Sequence, residues 1–378
     1  MTTEAKEKTL VVIQLTGGND FMNTIVPYNN EHYYDARKKI VISQTDVLPI
    51  NETLAINNNA RPLKRLFDEG KVAIVQGIGY PNSNRSHFRG MDIWHTCEPD
   101  RVGSEGWLGL AIRDLDPKNE NVLTGVNIGQ GLPRAMSVAG VPVTSVGDLE
   151  GYGVMNKIEQ ERLKERSLQA FKDIYGQAIG SGQVAEYIGK TGLDVLKGAD
   201  LLSNVATQYK SSVEYADNSI AKSLRDVARV HFADLGTRVF YTNHGGYDTH
   251  ANEMPTHPKL LSDLSGAISD FMDDLKEHDA ADDVAILVFT EFGRRMRDNG
   301  SGTDHGSGGG AFLIGNNVKG GLYSEYPSLN PNDWEHGEDL KHTIDFRGIY
   351  GTVLEQWLGL DAKPIVKGEF EQIKPFYI

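Results

Sequence analysis

The chain has 378 residues, 39% of them apolar, and a formal net charge of −14. That length can bury a large core, and the absence of any basic run or patch argues against nucleic acid or an anionic membrane as partner. A single cysteine, Cys97, excludes an intrachain disulfide and a thiolate metal cluster, and no apolar run reaches the ~20 residues that span a bilayer.

The first nine residues, "MTTEAKEKT", hold no apolar segment, so no signal peptide is expected in the sequence as written. That reading puts the chain in the cytoplasm, or in the periplasm if a leader was removed. Residues 10–15, "LVVIQL", form a nearly continuous apolar, β-rich run, as in a parallel strand covered on both faces. A helix is expected over 61–70, closed by Gly70, followed by a strand over 72–78, "VAIVQGI", and another over 122–128, "VLTGVNI". Residues 155–236 contain no proline and almost no strand signal, and they read as a helical insertion within a single domain spanning 1–378. The insertion either covers a sheet face or caps a site, and periodicity alone does not choose between them. Further strands are expected at 238–243, 284–290 and 311–315. Between the first two, residues 259–278 place Leu260, Leu261, Leu264, Ile268, Phe271, Met272 and Leu275 on one helical face. Strands alternating with helices imply a layered α/β fold.

Polar clusters gather where these strands end. The first strand runs into "TGGND", the strand at 238–243 into "HGGYDTH", and the strand at 284–290 into "EFGRR"; "GTDHGSGGG" precedes the strand at 311–315. Ligands of open α/β sheets bind beyond the carboxyl ends of strands. Asp20, Asp248, His250, Glu291, Asp304 and His305 are oxygen and imidazole donors, a mixture suited to Zn²⁺, Mn²⁺ or Fe rather than to Mg²⁺ or Ca²⁺. Each cluster alone also reads as a turn, a helix cap or a surface ion pair. There is no G-x-S-x-G nucleophile elbow and no G-x-G-x-x-G after the first strand, which argues against an α/β-hydrolase and a dinucleotide fold.

Taken in order, the clusters resemble those of the alkaline phosphatase/sulfatase superfamily. More closely, the chain resembles a bacterial family of unknown function within that superfamily, often exported through the twin-arginine route. The resemblance is carried by "GGNDFMNTIVP" (17–27), "RSHF" (85–88), "GGYDTH" (245–250), "TEFGRR" (290–295) and "TDHG" (303–306). It implies a three-layer α/β sandwich around a mostly parallel sheet. It also implies one or two divalent ions, Zn or Mn before Ca or Mg, held by Asp20, Asp248, His250, Glu291 and His305. One departure stands out. Where the superfamily has an Asp-His pair, this chain has Glu291-Phe292, so one metal site would lose its imidazole.

The nucleophile implied by the family motif is Ser86, with Ser83 as second candidate because Ser83 and His87 have an S-x-x-x-H spacing. Ser86 also reads as a plain helix N-cap. Arg85, Arg294 and Arg295 offer the guanidinium fork that binds phosphate or sulfate, Asn19 and Asn23 offer hydrogen bonds to a substrate oxygen, and Asp304 is expected with them among the substrate-binding residues. His87 and His95 read as ordinary polar helix residues. Two functions remain open at this point. One is a metal-dependent hydrolase of phosphate or sulfate esters, with a small anionic ester or a sulfated or phosphorylated glycan as substrate. The other is a weakly active or inactive metal-containing module that binds anionic glycans. Three expectations follow: Asp20, Asp248, Glu291 and His305 converge, 155–236 flanks the site, and Ser86 starts a helix.

Overall fold

The computed structural model describes residues 7–150, 161–179, 182–202 and 205–377. A nine-stranded sheet forms its centre. In chain order the strands are β1 (Thr9–Thr16), β2 (Val72–Gly79), β3 (Gly125–Ile128), β4 (Thr144–Val146), β5 (Val239–Gly245), β6 (Val284–Thr290), β7 (Gly309–Ile314), β8 (Gly321–Tyr323) and β9 (Ile344–Asp345). Their spatial order is β8-β2-β7-β6-β1-β5-β3-β4, with β9 also paired to β2. Every pairing is parallel except the two made by β7. One reversed strand therefore presents its amino end at the edge where the others present their carboxyl ends.

The apolar runs resolve into two faces because alternate side chains of a strand point opposite ways. Val11, Ile13 and Leu15 of β1 join one core with the helix Arg61–Asp68, while Leu10 and Val12 join a second core. The second face is covered by α1 (His87–Thr96) and by the helices Trp107–Leu115 and Phe346–Thr352, where Trp107 stacks on Tyr350 and Trp94 on Phe346. Helices on both faces of one sheet make the molecule a mixed α/β structure of three layers.

The middle of the chain holds α2 (Glu161–Ala178), α3 (Gln183–Leu202), a short helix Val205–Gln208 and α4 (Ser219–Phe232). Of the expected insertion, residues 155–160, 180–181 and 203–204 lie outside the described residues. The carboxyl half of α3 packs at the amino edge of the sheet. Gly198 lies against Thr144 and Val122, and Lys197 Nζ donates to the Glu120 carbonyl at 3.1 Å. This half of α3 braces the edge opposite the polar clusters, as scaffold would. α4 joins the first core through Ile220, Leu224, Val227 and Ala228, beside α5 (Glu253–Glu277).

Two element boundaries differ from expectation by three residues or more, for local reasons. β3 begins at Gly125 rather than 122, because Asn121 holds a turn by accepting from the Leu123 N–H. α5 begins at Glu253, six residues before the amphipathic pattern, because Pro255 falls in the first turn, where its missing N–H would have no partner anyway. A small sheet of Ile25–Val26, Val47–Pro49 and Ala55–Asn57 was not expected, its strands being only two or three residues long.

Candidate metal centre

The strand ends deliver their polar residues as follows. After β1, Gly17 and Gly18 turn the chain with φ of +126° and +79°. Both positions require glycine. A Cβ on Gly17 would lie 2.3 Å from the backbone nitrogen of Asp248, and one on Gly18 would lie 2.3 Å from the Phe292 ring. The turn thereby lets the segment after β5 close onto the end of β1. After β6, Glu291 turns inward and accepts from Gly17 N at 2.9 Å. A two-stranded ribbon, Arg294–Asp298 with Thr303–His305, follows and leads into β7, so the reversed strand carries His305 to the same edge.

Four side chains meet there. His305 Nε2 lies 3.0 Å from Asp248 Oδ1 and 2.9 Å from His250 Nε2, and His250 Nε2 lies 3.2 Å from the same Asp248 oxygen. From the other side, His87 Nε2 lies 3.3 Å from Asp248 Oδ2. His87, Asp248 and His305 offer ligand atoms within 4.8 Å of one another. Ligands ~2.0–2.2 Å from a tetrahedral ion sit about 3.3–3.6 Å apart, close to the spacing found here. The buried His87 Nε2 has no hydrogen-bond partner and faces this cluster, so the donor set fits a divalent ion such as Zn²⁺.

Each ligand candidate is oriented through its far side, the usual arrangement at metal sites. His87 Nδ1 pairs with Glu291 at 2.9 Å, His250 Nδ1 with Asp304 at 3.1 Å, and His305 Nδ1 donates to the Arg85 carbonyl at 2.7 Å. Asp248 accepts from Arg294 at 2.9 Å. The Glu291 hydrogen bond, aided by the charges of Glu291 and Asp248, raises the pKa of His87. Burial lowers that of His305. Burial pushes the Asp248 carboxyl up, but the hydrogen bonds from His305 and Arg294 outweigh it and hold the group below the usual carboxylate range.

The other expected residues take different places. Asp20 is buried in an ion pair with Arg37, which also donates to the carbonyls of Met296 and Arg295. Glu291 reaches the cluster through His87 rather than directly. Arg294 is only 2% exposed and spends its donors on the carbonyls of Gly17, Gly18, Tyr247 and Thr303 and on Asp248, so it fixes the site instead of facing a substrate. Asn19 bonds His257 and Thr24, and Asn23 bonds Tyr33, Glu253 and the Ile40 carbonyl, all of them buried. Arg85 and Asp304 do border the cluster. Ser86 is exposed at the N-cap of α1 and makes no side-chain capping bond. His87, expected to be an ordinary polar helix residue, is the one the structure turns into the cluster. Its signal was its place in "RSHF", next to the serine.

Phe292, standing where an imidazole was implied, lies against His87 and His305 with ring centroids 5.0 and 4.6 Å away. It walls one side of the cluster with an apolar face.

Glu253 sits within hydrogen-bonding reach of Asp20, and burial together with the Asp20 charge raises its pKa. A carboxyl whose folded pKa is raised contributes stability in full below its ordinary value of 4.5 and loses it as pH climbs through the folded value. Between pH 5.5 and 8.5 the protein should therefore lose stability, by at most about 1.4 kcal/mol per pH unit from this group. In Glu253→Gln that slope should flatten. Thermal melts of both proteins across this range measure it, and parallel curves would refute a proton on Glu253.

Among the described residues no helix is long and apolar enough to cross a membrane. Comparison with curated proteins finds no match. Among solved structures the chain is similar to a protein in the alkaline phosphatase superfamily from Vibrio parahaemolyticus, at 12% identity and a TM-score of 0.40 over 100% of this chain and 72% of that one. It is similar to the PsFucS1 sulfatase from Pseudoalteromonas sp. at 12% identity and a TM-score of 0.40, over 98% and 71%. It is also similar to the lipoteichoic acid synthase LtaP from Listeria monocytogenes at 10% and 0.39, over 94% and 73%. From the end of β2, through the histidines and aspartates of the cluster, to the last helix, residues 78–367 match the family described as protein of unknown function (DUF1501), and the chain belongs to that family.

Proposed function

We propose that this protein is a metal-dependent hydrolase of phosphate or sulfate esters that acts through Ser86. The observation that carries the reading is the meeting of His87, Asp248, His250 and His305 around one point, beside a serine whose hydroxyl caps no helix. Zn²⁺ or Mn²⁺ suits two or three imidazoles and one carboxylate, and such an ion would draw charge off the ester oxygens and acidify a nearby hydroxyl. One ion is enough for this donor set.

The chain's own residues do the rest. Ser86 lies between Arg85, whose carbonyl holds His305, and His87, so its position is tied to two parts of the cluster. The free N–H groups that open α1 lie beside Ser86 and favour negative charge on a bound oxyanion. Ser86 oxygen forms the new bond to phosphorus or sulfur, the ester oxygen leaves on the opposite side, and water later releases the covalent ester.

The test joins metal analysis of the purified protein to assays against aryl phosphates and aryl sulfates. Ser86→Ala should retain the metal and change stability by less than about 0.5 kcal/mol, since no capping bond is lost. It should remove nearly all turnover. Unchanged turnover in Ser86→Ala would reject the serine mechanism. Metal content with no turnover in the wild type would favour the glycan-binding module instead.

A further inference from the structure

Two arginines stand beside the cluster with donors to spare. Asp339 is 1% exposed, and neither of its carboxylate oxygens has a hydrogen-bond partner. Its neighbours are Arg85 NH1 at 3.7 Å and Arg295 Nε at 3.6 Å, and Arg295 NH1 lies 3.8 Å from Asp304. These separations are too long for hydrogen bonds but short enough for strong attraction. The carboxylate thus holds two guanidinium groups without consuming their N–H donors. Arg295 Nε is likewise buried without a hydrogen-bond partner. Asp339 itself is fixed by a paired backbone bridge with Glu335, at 2.8 and 2.9 Å, and Glu338 accepts from Met296 N on the ribbon.

The arrangement closes a ring. Arg85 bonds His305 through its carbonyl and faces Asp339 through its side chain; Asp339 faces Arg295; Arg295 faces Asp304; and Asp304 bonds His250. Three guanidinium groups (Arg85, Arg294, Arg295) and four carboxylates (Asp248, Glu291, Asp304, Asp339) stand in this ring and the cluster it encloses. Ligating imidazoles are neutral. With a divalent ion in place the site carries one net positive charge.

We propose that Arg85 and Arg295, positioned by Asp339, form the oxyanion-binding wall of the site, and that its charge balance selects singly charged esters over doubly charged ones. The substrates so favoured are sulfate monoesters and phosphodiesters, and the disfavoured class is the phosphate monoester dianion. The inference rests on the ester-hydrolase reading and narrows its substrate. A second negative charge on the ligand would meet Asp339 and Asp304 with no positive charge left to balance it.

Three non-hydrolysable probes test this: benzenesulfonate (one charge), phenylphosphonate (two charges at pH 8.5) and its monoethyl ester (one charge, on phosphorus). Their affinities for the zinc-loaded protein are measured calorimetrically, with a separate zinc titration of each variant. The wild type should bind both singly charged probes more tightly than phenylphosphonate, which shows that charge and not the central atom decides. Asp339→Asn should keep its zinc affinity and shift the ratio about tenfold towards phenylphosphonate. Arg85→Gln and Arg295→Gln, at half-exposed positions, should weaken phenylphosphonate more than benzenesulfonate; they keep the idea testable if Asp339→Asn fails to fold. A wild-type preference for phenylphosphonate, an unchanged ratio in Asp339→Asn with the two arginine variants also showing no differential loss, or no saturable binding of any probe overturns the inference. A wild type that binds no zinc instead rejects the metal reading, while the probe ratio in the zinc-free protein still reports on Asp339.

Discussion

Arg37→Met should lower the stability of the protein by about 3–5 kcal/mol, the cost of breaking a buried ion pair. Arg37 is 0% exposed, and Asp20 is 1% exposed. Met replaces much of its volume but leaves Asp20 and Glu253 facing each other without a cation and strands the carbonyls of Met296 and Arg295. Asp20→Asn should cost less than half as much. Burial and the Asp20 charge keep Glu253 protonated, so once Asp20 is neutral Glu253 can ionise and take over Arg37. Chemical denaturation of the two variants measures the difference. Equal losses would mean that Glu253 does not substitute. Zinc affinity in Asp20→Asn should stay within about threefold of wild type, since the loss of even an orienting residue costs 10–100-fold. A larger drop would return Asp20 to the ligand set that the family resemblance implied.

The second large effect belongs to Asp248. Among the described residues it is the one carboxylate that His87, His250 and His305 all approach, so Asp248→Asn removes the negative charge at their centre. Zinc affinity should fall about a hundredfold or more, at or beyond the upper end for orienting residues. The change shows in thermal melts. At zinc one hundred times the wild-type Kd, binding adds about 2.7 kcal/mol to the wild type, and the variant should gain at most about 0.4 kcal/mol. Without zinc the variant should be nearly as stable as wild type, because Arg294 keeps its four backbone carbonyls and an asparagine oxygen can still accept its fifth bond. Undiminished zinc stabilisation in Asp248→Asn would place the metal elsewhere.

These two residues show how far the sequence reached. It determined the layers, because a strand buried on both faces must be mostly apolar, and β1, β2 and β6 are, with Thr9, Gln14, Thr16, Gln76 and Thr290 as the polar exceptions. It placed Asp248, His250 and Glu291 at one sheet edge, because a strand's carboxyl end is fixed by chain direction; Asp304 and His305 lay only in a loop before the next strand, and the reversal of β7, which the sequence did not show, brings them to that edge. It also set Ser86 at a helix start. What it left open was the aim of each side chain. "GGND" reads the same whether Asp20 faces a metal or an arginine, and Arg37 lies 17 residues away in a segment with no motif. His87 looked like any polar helix residue until α1 packed its first turn against Glu291 and Asp248. Asp339 carried no signal at all, since a loop carboxylate becomes a holder of arginines only when the ribbon bearing Arg295 folds over it. Chain direction and periodicity are local properties and survive in one dimension; charge pairing between separate segments, 17 residues apart for Asp20 with Arg37 and 204 for His87 with Glu291, is decided by which surfaces close together, and that is set only by the folded whole.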